Sequence, residues 1–348
     1  NRWIMSLGTT YILWPRGSVN QVHMPNYTHN KEQKMRLLFM AICVLLITVA
    51  VPRTVLSQKT QVFILAGQSN MQGQGVVDLD HPMHYNSGKG TLNRVMQNPK
   101  MKELYAHIKN AKGDFIVRDD VFVRYVTPAK IKRGGLSVGF TGYDGTHHIG
   151  PEFQFGHVVG EAIKQPVLLI KTAWGGKSIY KDFRPPSSGG EVGKYYRQMI
   201  SEIKQGLEQI SVDFPVLNNN YELRGFVWFQ GWNDMYNEDA RAEYAQNLMN
   251  LIKDVRHELA AEDLPVVIGE LGNGGEDVSD NMQAIRSAQK TAAAKTPHAL
   301  FVKTTAFARP KEQSPNVGHG HHWFGNAESY FLIGNALGKS MLEFPKTK

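Results

Sequence analysis

The chain has 348 residues, a length that suits one large domain or two small ones. Its 42% hydrophobic and 20% charged residues are ordinary for a soluble globular protein and exclude a collagen-like or low-complexity chain. The net charge of +8 is unevenly spread, because residues 1–57 hold six Lys and Arg and one Glu, a net of +5 that leaves +3 for the remainder. No basic stripe is interleaved with aromatic residues, so nucleic acid is not expected as a partner.

The first long apolar run is Leu37–Val51, with Lys34 and Arg36 in front of it and Ser57 behind it. A basic start, an apolar stretch of about 15 residues and a small residue at the cleavage site are typical of a secretory signal peptide. A retained transmembrane anchor would need about 20 apolar residues, and Arg53 ends this run early. The run is therefore interpreted as a signal peptide.

This leader divides the chain into three segments. We predict an unstructured upstream extension over 1–34, a signal peptide over 35–57 and one folded domain over 58–348. The single cysteine, Cys43, falls in the leader, so the domain has neither a disulfide nor a thiol nucleophile. The expected location is secreted or periplasmic, without stable membrane insertion after cleavage.

Short apolar runs alternate with amphipathic ones along the domain. Buried parallel strands are predicted over 62–67, 166–173, 225–231, 265–272 and 299–306. Helices are predicted over 152–163, 192–210, 239–259, 279–295 and 326–342. This alternation predicts an α/β fold with a three-layer, doubly wound parallel sheet. In such folds the functional site lies beyond the carboxyl ends of the strands.

One long segment, 77–149, interrupts the alternation. It contains a helix-like stretch at 99–112, a hairpin-like stretch at 115–126 and a tail at 139–150 that is rich in Gly and His. Long connections in compact domains usually carry function. The pattern is equally compatible with a lid on the substrate side and with a connection that has only a structural role.

The sequence Gly67-Gln68-Ser69-Asn70-Met71 directly follows the first predicted strand. A serine at a strand-to-helix turn exposes its hydroxyl at the sheet edge and turns its own N–H toward a developing oxyanion. The same position also suits a helix cap. By itself, this serine indicates a nucleophile no more strongly than a cap.

Five ordered blocks resemble the SGNH hydrolases, in particular the sialate O-acetylesterase-like branch that includes acetylxylan esterases. They are Gly-Gln-Ser-Asn-Met at 67–71, Ala-Trp-Gly-Gly with a downstream Arg-Pro-Pro at 173–188, Phe-Val-Trp-Phe-Gln-Gly-Trp-Asn-Asp at 226–234, Ala-Ile-Arg-Ser-Ala-Gln at 284–289 and a block at 321–338 that begins His-His-Trp-Phe-Gly-Asn. The resemblance implies a flavodoxin-like fold. It also implies a secreted serine carboxylic-ester hydrolase that removes acetyl groups from acetylated carbohydrate and needs no cofactor.

The resemblance also implies roles for individual residues. Ser69 would attack the acetyl carbonyl, and His322 would take the serine proton and pass it to the sugar hydroxyl. Besides the Ser69 N–H, the candidate oxyanion donors are Gly175, Gly176, Gln230 and Asn233, of which Asn233 is preferred over Gln230 because it lies past the strand end. The candidate substrate-binding residues are Gln68, Asn70, Arg184 and Trp232. Arg286, in the fourth block, is expected to face solvent on its helix.

Both usual places of the triad acid are altered. The superfamily sets an Asp three residues before the catalytic histidine, where this chain has His319, and many relatives carry Glu where it has Trp232. We predict Asp234 as the acid, followed by a Ser–His dyad and then by Glu270.

Two other functions stay open. A non-catalytic carbohydrate-binding relative would explain the altered acid positions. A metal-dependent hydrolase would use the imidazoles of His319, His321 and His322, although adjacent histidines in a Gly-rich loop point apart and no metal is expected. The sequence indicates neither the sugar nor the oligomeric state.

Overall fold

The computed structural model describes residues 58–79, 81 and 85–345. The predicted upstream extension and signal peptide, 1–34 and 35–57, lie outside the described residues. In the part of the chain that is described, no helix has the length and apolar character needed to cross a membrane.

The described residues alternate between strands and helices along the chain. The strands are β1 (Thr60–Gly67), β2 (Gly75–Val76), β3 (Val121–Val126), β4 (Ile131–Gly135), β5 (His148–Ile149), β6 (Val167–Ala173), β7 (Tyr221–Phe229), β8 (Val266–Gly269) and β9 (Ala299–Val302). The α-helices are α1 (Ser69–Gln72), α2 (Leu92–Val95), α3 (Lys102–Tyr105), α4 (Pro151–Ala162), α5 (Lys194–Glu208), α6 (Ile210–Asp213), α7 (Glu238–Glu258), α8 (Asp280–Lys295) and α9 (Ala327–Met341).

A seven-stranded sheet runs through the centre in the order β4-β3-β6-β1-β7-β8-β9. Every neighbouring pair from β3 to β9 is parallel. The edge strand β4 is antiparallel to β3, and β2 pairs with β5 in a separate two-stranded ribbon. The fold class is therefore confirmed as α/β with a mostly parallel sheet, and the antiparallel edge strand is the departure from the predicted pattern.

The central strand β1 shows why the fold has three layers. All its residues are buried, and successive side chains point to opposite faces of the sheet. Val62 and Ile64 pack into the core that holds residues of α5, α7 and α8. Phe63 and Leu65 pack into the core that holds residues of α4 and α9. A strand buried on both faces is expected to be mostly apolar, which explains the unbroken apolar run over 62–67.

The segment 77–149 is partly built into the sheet, because it supplies β3 and β4. The hairpin-like stretch proposed at 115–126 is wrong in its position. The hairpin joins residues 121–126 to 131–135 and turns where the Thr127 N–H donates to the Lys130 carbonyl at 2.9 Å. The helix-like stretch at 99–112 contains α3 between two short 3-10 turns.

Candidate active site

The turns after β1, β6 and β7 meet at one edge of the sheet, because these three strands are parallel neighbours. They surround a cavity of about 510 Å³. The described residues that line it are Gln68, Ser69, Gln72, Gln74, Gly142, Tyr143, Gly175, Gly176, Trp232, Asn233, Tyr236, His321 and His322. Eight of the residues selected from the sequence, His321 among them, therefore lie around one cavity.

Ser69 stands at the sharp turn from β1 into α1 and is 8% exposed. The turn depends on the small residue before it, because a Cβ on Gly67 would lie 2.1 Å from the Phe229 carbonyl oxygen on β7. The Gln74 side chain donates to the Ser69 carbonyl at 3.3 Å. The serine is thus fixed at the strand end with its side chain at the cavity.

The glycine turn after β6 lies against the serine. A Cβ on Gly175 would come within 3.7 Å of the Ser69 Cβ and 3.0 Å of Gln72 Oε1. Gly176 has φ of +68°, a conformation that glycine adopts without strain. Both glycines are exposed to the cavity, so their backbone groups are accessible to a ligand.

Asn233 and Gln68 form a side-chain pair beside the serine. Gln68 accepts a hydrogen bond from the Gly231 N–H at 3.0 Å and donates to Asn233 Oδ1 at 3.2 Å. The Asn233 Nδ2 group has no acceptor among the described residues. Asn233 therefore presents a free amide donor in the cavity wall, and Gln68 fixes which end of that amide is free.

Gln230 is not available as an oxyanion donor, which corrects the prediction. It is 3% exposed. Its two Nε2 hydrogens go to the Lys177 carbonyl at 2.9 Å and to Asp234 at 2.6 Å, and its Oε1 accepts from the Tyr244 hydroxyl at 3.0 Å. Gln230 holds the glycine turn in place rather than facing a ligand.

Asp234 is not brought to His322, so its predicted place as triad acid lacks geometric support. It is fully buried. Its oxygens accept from the backbone N–H groups of Ile179 and Tyr180 at 3.0 Å and from Gln230. Burial raises the pKa of this carboxyl to about 6, and the three donors oppose that rise. Asp234 anchors the segment after the glycine turn.

Glu270, the other candidate acid, is also engaged elsewhere. Its carboxylate accepts from the Thr304 N–H at 2.7 Å and the Thr305 N–H at 2.9 Å, and from the Thr305 hydroxyl. These contacts join the ends of β8 and β9. Within the described residues, no carboxylate contacts the His322 ring.

His322 lies in a tight loop over 319–325. The His322 N–H donates to the His319 carbonyl at 2.9 Å, and Trp323 and Phe324 adopt left-handed backbone conformations with φ of +52° and +53°. Residues in this conformation are strained and often cluster at functional sites. Burial lowers the pKa of His322 to about 4, with smaller contributions from neighbouring His321 and His319. Its ring is therefore neutral at physiological pH.

Two buried asparagines hold the histidine loop through its backbone. The Asn70 side chain donates to the His321 carbonyl at 3.1 Å, and the Asn273 side chain donates to the same oxygen at 3.0 Å. Asn70 also accepts from the Tyr330 hydroxyl at 2.7 Å. Asn70 is thus not a cavity residue, and the substrate-binding role predicted for it is replaced by a positioning contact. No hydrogen bond joins Ser69 Oγ to a His322 ring nitrogen in the described structure.

Arg184 lies outside the cavity and borders a separate groove, which corrects the second substrate-binding prediction. Its guanidinium pairs with Glu243 at 3.0 Å, donates to the Gly189 carbonyl at 2.8 Å and lies over the Tyr180 ring. Trp232 does line the cavity, where its ring packs against those of Tyr236 and His321.

The three histidines considered as metal ligands, His319, His321 and His322, lie close together in one loop. The rings of His321 and His322 are 4.0 Å apart and those of His319 and His322 are 6.1 Å apart. Across the residues described, no group of three or more His, Cys, Asp and Glu is arranged to hold a metal ion.

Sequence reasoning missed several cavity and support residues. Tyr143 lies in the Gly- and His-rich tail of segment 77–149. The unusual composition of that tail was the one sequence feature that could have indicated it. Arg286 was expected to face solvent. It is 6% exposed and donates to the carbonyls of Leu271 at 2.7 Å and Asn273 at 3.0 Å. Arg286 therefore supports the loop that carries Asn273.

The fold is consistent with the SGNH hydrolase superfamily. Over residues 59–343 the chain belongs to the family described as SASA, a carbohydrate esterase, sialic acid-specific acetylesterase family. It is 23% identical over 218 residues to a probable carbohydrate esterase of Arabidopsis thaliana, covering 62% of this chain and 70% of that protein.

One solved structure shows the same fold, and a second is reported for comparison. An X-ray structure of an Arabidopsis thaliana protein matches with a TM-score of 0.53 and 17% identity, covering 82% of this chain and 98% of the other. A carbohydrate acetylesterase of Xanthomonas citri matches with a TM-score of 0.47 and 14% identity, over 80% of this chain and 57% of that one.

Proposed function

We propose that this protein is a carbohydrate O-acetylesterase that works through an acetyl-serine intermediate on Ser69. The observation that carries the proposal is the convergence of Ser69, Gly175, Gly176, Asn233 and His322 on one cavity. These are a nucleophile, a glycine turn with accessible backbone, an amide donor and a neutral imidazole, which are the parts that acyl transfer requires.

In the first half-reaction, Ser69 Oγ attacks the acetyl carbonyl carbon while His322 accepts the hydroxyl proton. The carbonyl oxygen becomes an oxyanion, which the Ser69 N–H, a backbone N–H of the Gly175–Gly176 turn and Asn233 Nδ2 stabilise. The carbon–oxygen bond to the sugar then breaks, and His322 returns the proton to the sugar oxygen. Water, activated by His322, hydrolyses the acetyl-Ser69 in the same way and releases acetate.

We propose further that Ser69 and His322 act as a dyad. The support is that Asp234 and Glu270 accept hydrogen bonds from backbone N–H groups away from the His322 ring and that His319 stands where the superfamily has an acid. The low pKa of His322 leaves the imidazole in its base form above about pH 4. The carbonyl contacts of Asn70 and Asn273 would orient the loop in place of a carboxylate.

The test is acetate release from acetylated xylan and from an aryl acetate by the full chain. Ser69→Ala is compared with Ser201→Ala, a control at an exposed serine on α5. We expect release to vanish in Ser69→Ala and to persist in Ser201→Ala. Release that survives Ser69→Ala would refute the proposal.

The two alternative functions give different results in the same assays. A metal-dependent hydrolase would lose activity in EDTA, whereas the proposed serine esterase would not. A carbohydrate-binding relative would leave both substrates intact and would not react with a fluorophosphonate, which should label Ser69 of the esterase.

We also propose that the protein is exported. The basic start, the apolar run over 37–51 and the small exit residue Ser57 support a cleaved leader. Expression in a secreting host and N-terminal sequencing of the protein in the medium test this. A new N-terminus at Gln58 is expected, and protein retained in the cells with residues 35–57 attached would contradict it.

A further inference from the structure

The Gly- and His-rich tail over 139–150 forms one side of the Ser69 cavity. Gly142 and Tyr143 of this tail line the cavity. The Tyr143 hydroxyl donates to the side chain of Gln74, and that side chain donates to the Ser69 carbonyl at 3.3 Å. One side chain therefore connects the tail to the backbone of the nucleophile.

A buried lysine on β6 connects the tail to the serine helix a second time. The Lys171 side chain has no exposed surface. Its Nζ donates to the Phe140 carbonyl of the tail at 2.8 Å and to the carbonyl of Gln72, the last residue of α1, at 2.9 Å. The third hydrogen bond goes to the carboxylate of Glu152 at 2.6 Å. All three donors of this ammonium are thus used, and two of them join the tail to the helix that begins at Ser69.

A second lysine, on the edge strand β4, holds the same tail. Lys132 is half-buried, and its Nζ donates to the carbonyl oxygens of Gly139, at 2.9 Å, and Tyr143. Hydrogen bonds from a charged donor are stronger than those between neutral groups. Among the described residues, both hydrogen-bond acceptors of Lys132 lie in the tail, whereas Lys171 contacts the tail and α1.

We propose that Lys171 and Lys132 are positioning residues of the esterase, which fix the tail as a rigid wall of the cavity and set its distance from Ser69. This inference rests on the proposed function and gives the tail of segment 77–149 a role in it. Loss of Lys171 should displace the serine helix, whereas loss of Lys132 should loosen the wall alone. The two lysines should therefore affect kcat and KM differently.

The first arm of the test removes the buried ammonium. Lys171→Met leaves the Glu152 carboxylate buried without its partner, which can prevent folding, so Lys171→Met/Glu152→Gln is made as well to remove both charges. Hydrolysis of an aryl acetate by the full chain is expressed per Ser69 that reacts with a fluorophosphonate, so unfolded protein is not counted. We expect kcat to fall by about tenfold to a hundredfold in both variants, because a displacement of about 1 Å from the reactive geometry can cost roughly a hundredfold.

The second arm removes the lysine that holds only the tail. For Lys132→Met, we expect KM for an acetylated xylo-oligosaccharide to rise about fivefold and kcat to stay within about twofold, because a wall that contacts the substrate before and during the reaction contributes uniform binding. The matched control is Lys130→Met. Lys130 is 57% exposed and also pairs with the tail, at 3.3 Å through Asp144, but exposed ion pairs contribute little, so both constants should be unchanged.

A value of kcat per reactive Ser69 within about twofold of the unmodified chain in Lys171→Met/Glu152→Gln would overturn the inference, because a purely structural pair changes only the folded fraction. An unchanged KM in Lys132→Met would overturn it too, and this arm decides alone if neither Lys171 variant folds. Both outcomes leave Ser69-dependent hydrolysis, and with it the esterase proposal, intact. Aryl acetate hydrolysis that is absent, or unchanged in Ser69→Ala, overturns the proposed function and the inference with it.

Discussion

The strand-end turns that carry Gly175 and Asn233 and the loop that carries His322 face the same cavity but are held by different means. Behind the turns, buried side chains fix each donor, with Gln68 orienting Asn233 and Asp234 anchoring the segment after Gly176. The histidine loop is fixed through its backbone carbonyls, and no described carboxylate meets the ring.

This difference separates two tasks that a catalytic triad usually couples. In the turns that would stabilise the oxyanion, the side chains behind the donors all have hydrogen-bond partners. The region that would move the proton has a half-buried imidazole with no carboxylate against it among the described residues. The residues around the oxyanion are therefore better supported than the imidazole, and we expect mutations in the two regions to affect kcat differently.

The largest effect is expected at the proton-transfer side. His322→Gln should lower kcat by about a thousandfold, because general acid–base catalysis contributes roughly 10²–10⁴. Acetate release is compared with that of His257→Gln, a control at a histidine on α7 whose side chain is 84% exposed. A loss of less than tenfold in His322→Gln would remove the imidazole from the mechanism.

The oxyanion side should show the next largest effect. Asn233→Ala should lower kcat by about a hundredfold or more, the typical result of deleting one oxyanion donor. KM should change little, because the contact strengthens only in the transition state. Steady-state kinetics on an aryl acetate separate the two constants, and a rise in KM at unchanged kcat would show that Asn233 binds substrate instead.

A smaller effect is expected for the support of the histidine loop. Asn273→Ala removes a 3.0 Å hydrogen bond to the His321 carbonyl and should lower kcat roughly fivefold, since one such bond is worth about 1 kcal/mol. Combined with Asn70→Ala, the loss should depart from additivity, because both side chains donate to the same oxygen. Strictly additive losses in the double-mutant cycle would contradict a shared positioning role.

The smallest and most specific effect concerns pH. The base form of His322 is present above its pKa of about 4, so kcat/KM should hold through pH 5–7 and fall as the pH drops through about 4. His319→Asp would restore a carboxylate at the superfamily position. The negative charge would stabilise the imidazolium and raise the pKa of His322. The fall of kcat/KM on the acid side should therefore shift to higher pH. An acid limb near pH 6.5 in the unmodified protein would contradict the desolvated ring.

Most of the scaffold was predictable because its signals are local. The runs that became β1 and β6 are largely apolar, and Ser279, the first residue of the predicted helix over 279–295, caps α8 by accepting from the Met282 N–H. The predicted hairpin at 115–126 failed because β3 pairs with the distant β6 as well as with β4. No local pattern records that pairing.

The five sequence blocks correctly indicated which segments meet at the site. They indicated the role of each residue less well. Ser69 lies two residues past the end of β1 and Asn233 four residues past the end of β7, so the topology fixes their location. The roles of Gln230, Asp234 and Arg286 depend on partners from other elements. Arg286, for example, is buried because carbonyls at the end of β8 accept its hydrogen bonds, and sequence periodicity on α8 does not encode that contact.

The most direct test of the central claim is a search for the acetyl group on Ser69. The full chain is mixed with excess aryl acetate, quenched in acid during turnover, digested and analysed by mass spectrometry. We expect an acetylated peptide that contains Ser69 and that is absent from Ser69→Ala. Turnover without any acetylated Ser69 peptide, together with activity that survives in Ser69→Ala, would contradict it.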